Sequence, residues 1–197
     1  MMARGEIKMR KVIVSNYVTL DGFFAGPQGE IDWFVWDEET ADYSRELINS
    51  IDTIVFGRLT YELMASYWPV ASPATEDPVI INAMNNLPKI VFSKTLKKLY
   101  WNNSRLAKGN IADEISTLKQ QPGKDVVIYG SGSIVSSLTQ LRLIDEYRIF
   151  VNPVVLGSGK PLFKDLRDRL SLNLIKTRAF KNGVVLLHYQ YDSKDYA

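Results

Sequence analysis

Three short segments combine glycine, hydroxyl and basic side chains in a way that suits an anionic ligand. They are Gly57-Arg58-Leu59-Thr60, Ser93-Lys94-Thr95 and Gly130-Ser131-Gly132-Ser133. Glycine lets a backbone approach a ligand closely, and arginine offers a planar, permanently charged group that matches phosphate. Taken alone, each segment is more simply a turn whose polar side chains face solvent. Together they predict a nucleotide phosphate site if they line one groove.

Each segment follows an apolar run typical of a buried strand, at 53–56, 89–92 and 125–129. Helices are predicted after the first and third runs, over 60–66 and from 132 to about 141. The N-terminus of a helix presents free N–H groups and the positive end of the helix dipole. Because ligands of open α/β sheets lie outside the carboxyl ends of strands, we expect the three turns to share a groove.

The glycine pattern differs from two well-known phosphate motifs. Position 135 is valine, so the Gly-x-Gly-x-x-Gly dinucleotide fingerprint is not completed, and no Gly-Lys-Ser/Thr P-loop occurs. Gly130 and Gly132 still allow a pyrophosphate to approach the backbone. Ser93 and Lys94 are candidates for a further anion such as a 2′-phosphate, although a solvated loop start is the default interpretation of that pair alone.

The remaining pattern completes an α/β fold in one domain. We expect strands at 11–17 and 146–151, an edge strand near 105–108, and a hairpin of strands 170–180 and 184–191 around Asn182-Gly183. Helices are expected from a cap at Asp37 to about 50, at 79–85, and after a cap at Asn110. Loops are expected at 21–29, which is rich in glycine and proline, and at 67–77. This order predicts three layers around a mostly parallel central sheet with an antiparallel C-terminal edge hairpin. Residues 9–192 form the predicted domain, with an N-terminal extension at 1–8 and a C-terminal tail at 193–197.

Composition excludes several classes of protein and site. Hydrophobic residues make up 46% and charged residues 23%, and the net charge of +2 is too small to indicate nucleic acid or a membrane surface. The chain has no cysteine, which excludes disulfides and thiolate sites and fits a reducing cytoplasm. No signal peptide and no apolar run of membrane-spanning length is seen. We therefore expect a cytoplasmic protein with no nucleic-acid or membrane partner.

Carboxylates remain the side-chain candidates for acid–base chemistry, since metal and histidine chemistry are poorly supported. The only histidine, His188, lies in an apolar strand, so zinc and a Ser-His-Asp triad are improbable and no metal is expected. The candidate carboxylates are Asp21, Asp32, Asp37 and Glu38, of which Asp37 has a competing role as a helix cap. Aromatic residues surround them and either line a pocket for a flat heterocycle or fill the core: Phe23, Phe24, Trp33, Phe34 and Trp36.

The order of these motifs resembles a known superfamily. The motifs are Asp21-Gly22 and Trp33, Gly57-Arg58-Leu59-Thr60-Tyr61-Glu62, Ile90-Val91-Phe92-Ser93, Val127-Ile128-Tyr129-Gly130-Ser131-Gly132, and the segment from Asn152-Pro153-Val154-Val155-Leu156-Gly157 to Lys160-Pro161-Leu162-Phe163. Over residues 9–191 the chain resembles the dihydrofolate reductase-like superfamily. It is most similar to the branch typified by the C-terminal reductase domain of bifunctional riboflavin biosynthesis proteins, as a stand-alone member.

The resemblance implies NADPH as cofactor and assigns residues to it. Gly57, Arg58, Leu59 and Thr60 would hold cofactor phosphates, with Ser93 and Lys94 at the 2′-phosphate end. The pyrophosphate would lie on Gly130, Ser131, Gly132, Ser133 and Ile134, and the nicotinamide beside Tyr17, Phe24 and Ala25. Trp33, Asn152, Pro153, Val154 and Gly157 would border the substrate. A carboxyl group, with Asp37 and Glu38 as candidates, or water would supply a proton.

The implied reaction is hydride transfer to a small heterocyclic or C=N-type substrate that is pterin- or pyrimidine-like. The segment Asn86-Leu87-Pro88-Lys89 lacks the arginine that clamps the glutamate tail of folate in dihydrofolate reductases, which argues against folate. The zinc ligands of the deaminase domain of the bifunctional proteins are also absent. The branch implies a homodimer. The alternative to a reductase is a non-catalytic member of the family that binds a nucleotide or only dimerises. This alternative is favoured if neither Asp37 nor Glu38 faces the pocket.

Overall fold

Ten strands and five helices make up the computed structural model, which describes residues 9–192. The strands are β1 (Val12–Thr19), β2 (Phe23–Ala25), β3 (Ile51–Gly57), β4 (Lys89–Phe92), β5 (Ser104–Leu106), β6 (Asp125–Tyr129), β7 (Glu146–Asn152), β8 (Lys160–Pro161), β9 (Leu172–Ala179) and β10 (Val185–Tyr191). The helices are α1 (Glu38–Ser50), α2 (Arg58–Tyr67), α3 (Pro78–Asn86), α4 (Ile111–Gln120) and α5 (Gly132–Gln140), and a 3-10 turn covers Trp68–Val70. The predicted extension at 1–8 and tail at 193–197 lie outside the described residues.

Eight of the strands form one sheet in the order β5-β4-β3-β6-β1-β7-β10-β9. In this order the six strands β5, β4, β3, β6, β1 and β7 are parallel to one another. β10 runs antiparallel to β7, and β9 runs antiparallel to β10. The predicted mostly parallel sheet with an antiparallel edge hairpin is therefore confirmed. The expected edge strand near 105–108 is present as β5, slightly earlier in the chain.

Alternate residues of the central strands feed two cores, one on each face of the sheet. Val14, Val126 and Ile128 pack toward α4 and α5. Ile54 and Val127 pack toward α1, α2 and α3. A parallel sheet needs both faces covered because each strand carries apolar side chains on both sides. These helices complete the three layers that the sequence predicts.

The start of α1 shows how local sequence sets an element boundary. The Thr40 N–H donates to Asp37 Oδ1 at 2.9 Å, and the Asp37 N–H donates to Thr40 Oγ1 at 2.9 Å. This reciprocal capping satisfies donors that the first helical turn leaves free. The predicted cap at Asp37 is confirmed.

The small β2–β8 pair is an element that the sequence prediction missed. Phe23 lies opposite Pro161 and Ala25 opposite Lys160, as a separate two-stranded antiparallel piece. Segments of two and three residues give no measurable alternation, and the glycines and prolines around them favour a loop interpretation. The pair is relevant to function because it covers the carboxyl edge of the central sheet.

No helix within residues 9–192 is both long enough and apolar enough to cross a lipid bilayer.

A buried charge cluster joins β1, β7 and β10 near the start of β7. Glu146 Oε1 accepts from Lys11 Nζ at 2.7 Å, and Glu146 Oε2 lies 2.8 Å from Arg148 Nη2 and 3.0 Å from His188 Nε2. Burial alone would raise the pKa of Glu146, but hydrogen bonds from His188, Lys11 and Arg148 outweigh it and hold that pKa well below its usual range. The lone histidine therefore has a structural role.

We expect Glu146→Gln to lower the free energy of unfolding at pH 7 by about 3 kcal/mol, because it removes the counter-charge of the largely buried Arg148 and of the half-buried Lys11. A carboxyl whose folded-state pKa is depressed stabilises the fold above its unfolded pKa of about 4.3 and loses that contribution as the pH falls toward the folded-state value. Urea unfolding of both proteins should thus show a constant difference from pH 7 to about 5 that shrinks below about pH 4. Glu62→Gln, at an exposed carboxyl, serves as the control. A difference that grows in acid would contradict this account.

Candidate active site

A cleft of about 1500 Å³ opens at the carboxyl ends of β1, β3, β4 and β6. Its volume exceeds the range of roughly 300–1,000 Å³ that is usual for one small ligand. Residues from all three segments singled out in the sequence line it: Gly57, Arg58, Leu59, Thr60, Ser93, Lys94, Thr95, Gly130, Ser131, Gly132 and Ser133. Because β4, β3 and β6 are neighbours in the sheet, their turns meet in one groove.

Ser131 ties the turn after β6 to the turn after β3. The Gly57 N–H donates to Ser131 Oγ at 2.7 Å. Ser131 donates twice to Thr60 Oγ1, through its N–H and its hydroxyl, each at 2.9 Å. These hydrogen bonds are buried or nearly so, and they hold the two turns together across 71 and 74 residues of sequence.

Ser131 adopts a left-handed backbone conformation, with φ 60° and ψ 59°. This conformation costs a non-glycine residue on the order of 1–3 kcal/mol and recurs at ligand sites. The three hydrogen bonds described above stabilise it. The side chain of Ser131 therefore contacts Thr60 rather than capping its own helix, α5.

Asn16 fixes the backbone of Gly130, and sequence reasoning missed it. Its side-chain amide accepts from the Gly130 N–H at 2.5 Å and donates to the Gly130 carbonyl at 3.3 Å. Gly130 has φ 57°, and a Cβ there would lie 2.8 Å from Thr60 Cγ2, so glycine is required on both counts. The available signal was an amide within the apolar run of β1.

Two helix N-termini point into the cleft without side-chain caps. α2 begins after Gly57 and α5 begins after Ser131, and neither preceding residue makes a side-chain capping bond. The first N–H groups of a helix have no acceptor within it, and the helix dipole makes this end positive. Both ends are thus suited to bind phosphate oxygens.

Cationic side chains border this polar part of the cleft. Arg58 Nη1 pairs with Glu62 Oε2 at 2.9 Å within α2, with 41% of its side chain exposed. An exposed ion pair of this kind is worth little, so Arg58 is free to exchange Glu62 for a ligand phosphate. Lys94 follows β4, Lys160 lies in β8, and the Lys164 N–H donates to Ser136 of α5 at 2.9 Å.

The β2–β8 pair forms the roof of the polar part. Phe24 and Ala25 line the cleft, and a Cβ on Gly132 would lie 2.7 Å from Phe24 Cε1. Glycine at position 132 therefore allows the roof to close on the start of α5. Ile134 lies outside the cleft lining, buried against Gly57.

The structure places the two predicted catalytic carboxylates away from the cleft. Asp37 is occupied as the cap of α1, and Glu38 Oε1 accepts from Arg45 Nη2 at 3.0 Å with 82% of its side chain exposed. Neither residue lines the cavity. The reason is local: α1 begins at this point of the chain, so both carboxylates satisfy helix and surface partners.

The predicted substrate residues also lie outside the lining: Trp33, Asn152, Pro153, Val154 and Gly157. Asn152 is fully buried, and its amide accepts from the Val35 N–H at 3.0 Å and donates to the carbonyls of Val18 and Phe150. The Gly157 N–H donates to Asp21 Oδ2 at 2.7 Å. Asn152 and Gly157 therefore hold loops around the cleft rather than facing a ligand.

Lys89, at the position where an arginine would suit a folate tail, is also structural. Its ammonium donates to the carbonyls of Asn85, Leu87 and Asn102 at 2.8–3.1 Å and lies 4.4 Å from the Trp101 ring centre. Burial lowers the pKa of Lys89 to about 8. It does not line the cleft.

The second part of the cleft is apolar and is formed by α1, α2 and α3 with the segment before α1. The apolar residues that line it are Ile31, Phe34, Trp36, Leu47, Ile48, Leu63, Met64, Tyr67, Trp68, Ile80 and Met84. Apart from Phe34 and Trp36, the sequence did not identify them as site candidates, since apolar side chains on amphipathic helices usually fill the core. Tyr17 of β1 stacks on Phe34 at the boundary between the two parts, with ring centres 5.1 Å apart.

In the part of the chain that the structure describes, no group of three or more His, Cys, Asp or Glu residues is placed to hold a metal ion.

Comparison with known proteins gives the chain a family. The model of the RibD C-terminal domain matches residues 10–186. The uncharacterized protein YyaP of Bacillus subtilis (strain 168) is 37% identical over 187 residues, which cover 95% of this chain and 98% of YyaP.

Two solved structures share the fold. A putative riboflavin biosynthesis protein from Shewanella sp. PV-4 aligns with a TM-score of 0.75 and 27% identity, over 92% of this chain and 99% of that one. A Thermotoga maritima diaminohydroxyphosphoribosylaminopyrimidine deaminase/5-amino-6-(5-phosphoribosylamino)uracil reductase aligns with a TM-score of 0.68 and 16% identity, over 94% of this chain and 57% of that one. With the family model spanning nearly the whole described fold, the chain belongs to the RibD C-terminal domain family.

Proposed function

We propose that the protein is an NADPH-dependent reductase that transfers a hydride to a small heterocyclic or C=N-type substrate, as a pyrimidine reductase-like enzyme. The observation that carries this proposal is the convergence of two uncapped helix N-termini on one cleft bordered by cations. Membership of the RibD C-terminal domain family supports the reaction class. The cysteine-free chain fits a reducing, cytoplasmic compartment.

The polar part of the cleft fits a dinucleotide. The starts of α2 and α5 would hold the phosphates, with Arg58 at their side and Ser93 and Lys94 at the 2′-phosphate. Glycine at positions 130 and 132 leaves room where a Cβ would meet Thr60 or Phe24. When bound, NADPH supplies a hydride for reduction of a C=N or C=C bond.

The residues of the chain orient the reactants, and water that enters the cleft would provide the proton. Asp37 and Glu38 lie outside the cleft, so a side-chain acid from that pair does not reach the substrate. Burial raises the pKa of Tyr17 and keeps its phenol neutral. The rate of hydride transfer then depends mainly on how the cofactor and the substrate are positioned, and positioning of reactants alone can accelerate a reaction greatly.

The position of Asp37 and Glu38 outside the cleft favours a second candidate, a non-catalytic nucleotide-binding member of the family. Its cleft would bind NADPH without turning it over. Oxidation of NADPH followed at 340 nm with a panel of heterocycles separates the two candidates. Substrate-dependent oxidation supports the reductase, whereas tight binding with no oxidation across the panel supports the binding protein.

We expect NADPH to bind more tightly than NADH, because Arg58, Ser93 and Lys94 provide for the extra phosphate. Arg58→Ala should weaken NADPH by about 1–3 kcal/mol, the scale of one charge-assisted contact. Isothermal titration measures both, and thermal shift gives an independent readout since ligands of the folded state raise its stability. Arg105→Ala is the matched control, since Arg105 is similarly exposed and ion-paired but lies outside the cleft. Equal affinities for the two cofactors would contradict the assignment.

We also propose that the protein forms a homodimer through the edge of its sheet. β9 is an outer strand whose backbone faces no neighbour on one side within the described sheet. Leu174 and Ile175 on it are 55% and 53% exposed. A long edge strand with exposed apolar side chains is often covered by a partner, since its unpaired backbone groups can pair with another strand.

Light scattering after size exclusion should give twice the chain mass of 22.4 kDa for the unmodified protein. Ile175→Lys should shift it toward the monomer mass by placing a charge in the contact. Val70→Lys is the control, because Val70 is 79% exposed but lies away from β9. A monomeric unmodified protein would rule out this interface.

A further inference from the structure

The apolar part of the cleft has walls suited to a flat ring. Phe34 and Phe150 pack on Tyr17 with ring centres 5.1 Å and 4.5 Å away, so Phe34 and Trp36 provide the aromatic surface that lines the cleft. Trp36 lies 5.9 Å from Tyr17 and is 46% exposed. Aromatic faces of this kind bind conjugated rings by stacking and by burial of apolar area.

One face of α2 extends this apolar wall. Leu59, Leu63 and Tyr67 follow one another at intervals of four residues, line the cleft, and are 60%, 43% and 45% exposed. Residues at this spacing share one side of a helix. An exposed apolar stripe inside a cleft indicates a surface that a ligand covers.

Charge is distributed unequally between the two parts. The cations that line the cleft are Arg58 at the first position of α2, Lys94 after β4, Lys160 in β8 and Lys164 beyond it. The carboxylate Asp165 lines the same part and pairs with Lys164 at 3.8 Å, so among the described residues cations outnumber carboxylates there. The apolar part is formed by α1, α2 beyond Arg58, α3 and the segments before α1 and between α2 and α3. Among the residues of these elements that line the cleft, Glu76 is the charged one, and its carboxylate accepts from the Tyr67 hydroxyl.

The nearby cation on α1 is already engaged. Arg45 pairs with Glu38, Asp42 and Asp77 and does not line the cleft. A phosphate placed in the apolar part would therefore meet a carboxylate instead of a cation, which is electrostatically unfavourable.

We propose that the substrate is an uncharged, planar, conjugated ring with apolar substituents, and that it carries no phosphate. This inference rests on the proposed function, because it assigns the polar part to NADPH and the apolar part to the substrate. The chain thereby differs from the Thermotoga maritima protein, which is named for reduction of a phosphoribosylamino-substituted uracil. Shared fold is compatible with this difference, since function depends on the site.

Riboflavin and FMN test the proposal as probes, because they share one planar ring system and differ by a single phosphate. Quenching of flavin fluorescence gives the dissociation constants, measured with saturating NADP⁺ so that the helix N-termini are occupied. We expect riboflavin to bind at least tenfold more tightly than FMN. Lumichrome, a flat tricycle of the isomeric alloxazine type that lacks the polar ribityl chain, should bind at least as well as riboflavin. FMN binding equal to or tighter than riboflavin, or no binding of lumichrome and riboflavin, would overturn the proposal.

Leu63→Lys places a cation on the apolar wall. It should weaken the binding of riboflavin and reduce or reverse the preference for riboflavin over FMN. Leu141→Lys is the matched control, since Leu141 is 46% exposed and lies outside the cleft. A separate NADPH titration keeps the two claims distinguishable. Failure of NADPH to bind removes the proposed function, whereas normal NADPH binding with a preference for FMN removes only the substrate class.

Discussion

The site depends on one set of hydrogen bonds, those that join Gly57 and Thr60 to Ser131. β3 and β6 are neighbours in the sheet, so the turns that follow them meet, but sheet geometry alone does not fix how they meet. Ser131 accepts from one turn and donates back to it twice, in a backbone conformation that a serine adopts only when its surroundings hold it there. The result is that α2 and α5 direct their N-termini at the same space.

The sheet order explains why the cleft has a polar and an apolar part. The carboxyl ends of the parallel strands supply backbone donors and cations, while α1, α2 and α3 cover only one face of the sheet and add apolar side chains beyond that edge. A cofactor with phosphates and a substrate with an apolar ring would thus each find suitable chemistry in one continuous space. The division follows from which helices cover which face.

Much of the fold was predictable because its signals are local. Strands β4 and β6 and the Asp37 cap follow from apolar runs and capping chemistry, and the Gly130-Ser131-Gly132 turn is visible as a motif. The roles of Asn16 and Asn152 were not predictable, since the loops and strands that they join lie 114 to 134 residues away. Asp37 and Glu38 also show that residue type alone does not determine where a side chain lies in the fold. Their residue type suits catalysis, but contacts within and around α1 decide that they face away from the cleft.

Thr60→Val tests most directly whether the Ser131–Thr60 contact creates the proposed NADPH site. Valine keeps the volume of threonine and removes the oxygen that accepts both Ser131 donors. Isothermal titration should show NADPH binding at least tenfold more weakly than to the unmodified protein, with the fold intact by circular dichroism and with exposed Thr117→Val unchanged. An unchanged NADPH dissociation constant for Thr60→Val would contradict the account.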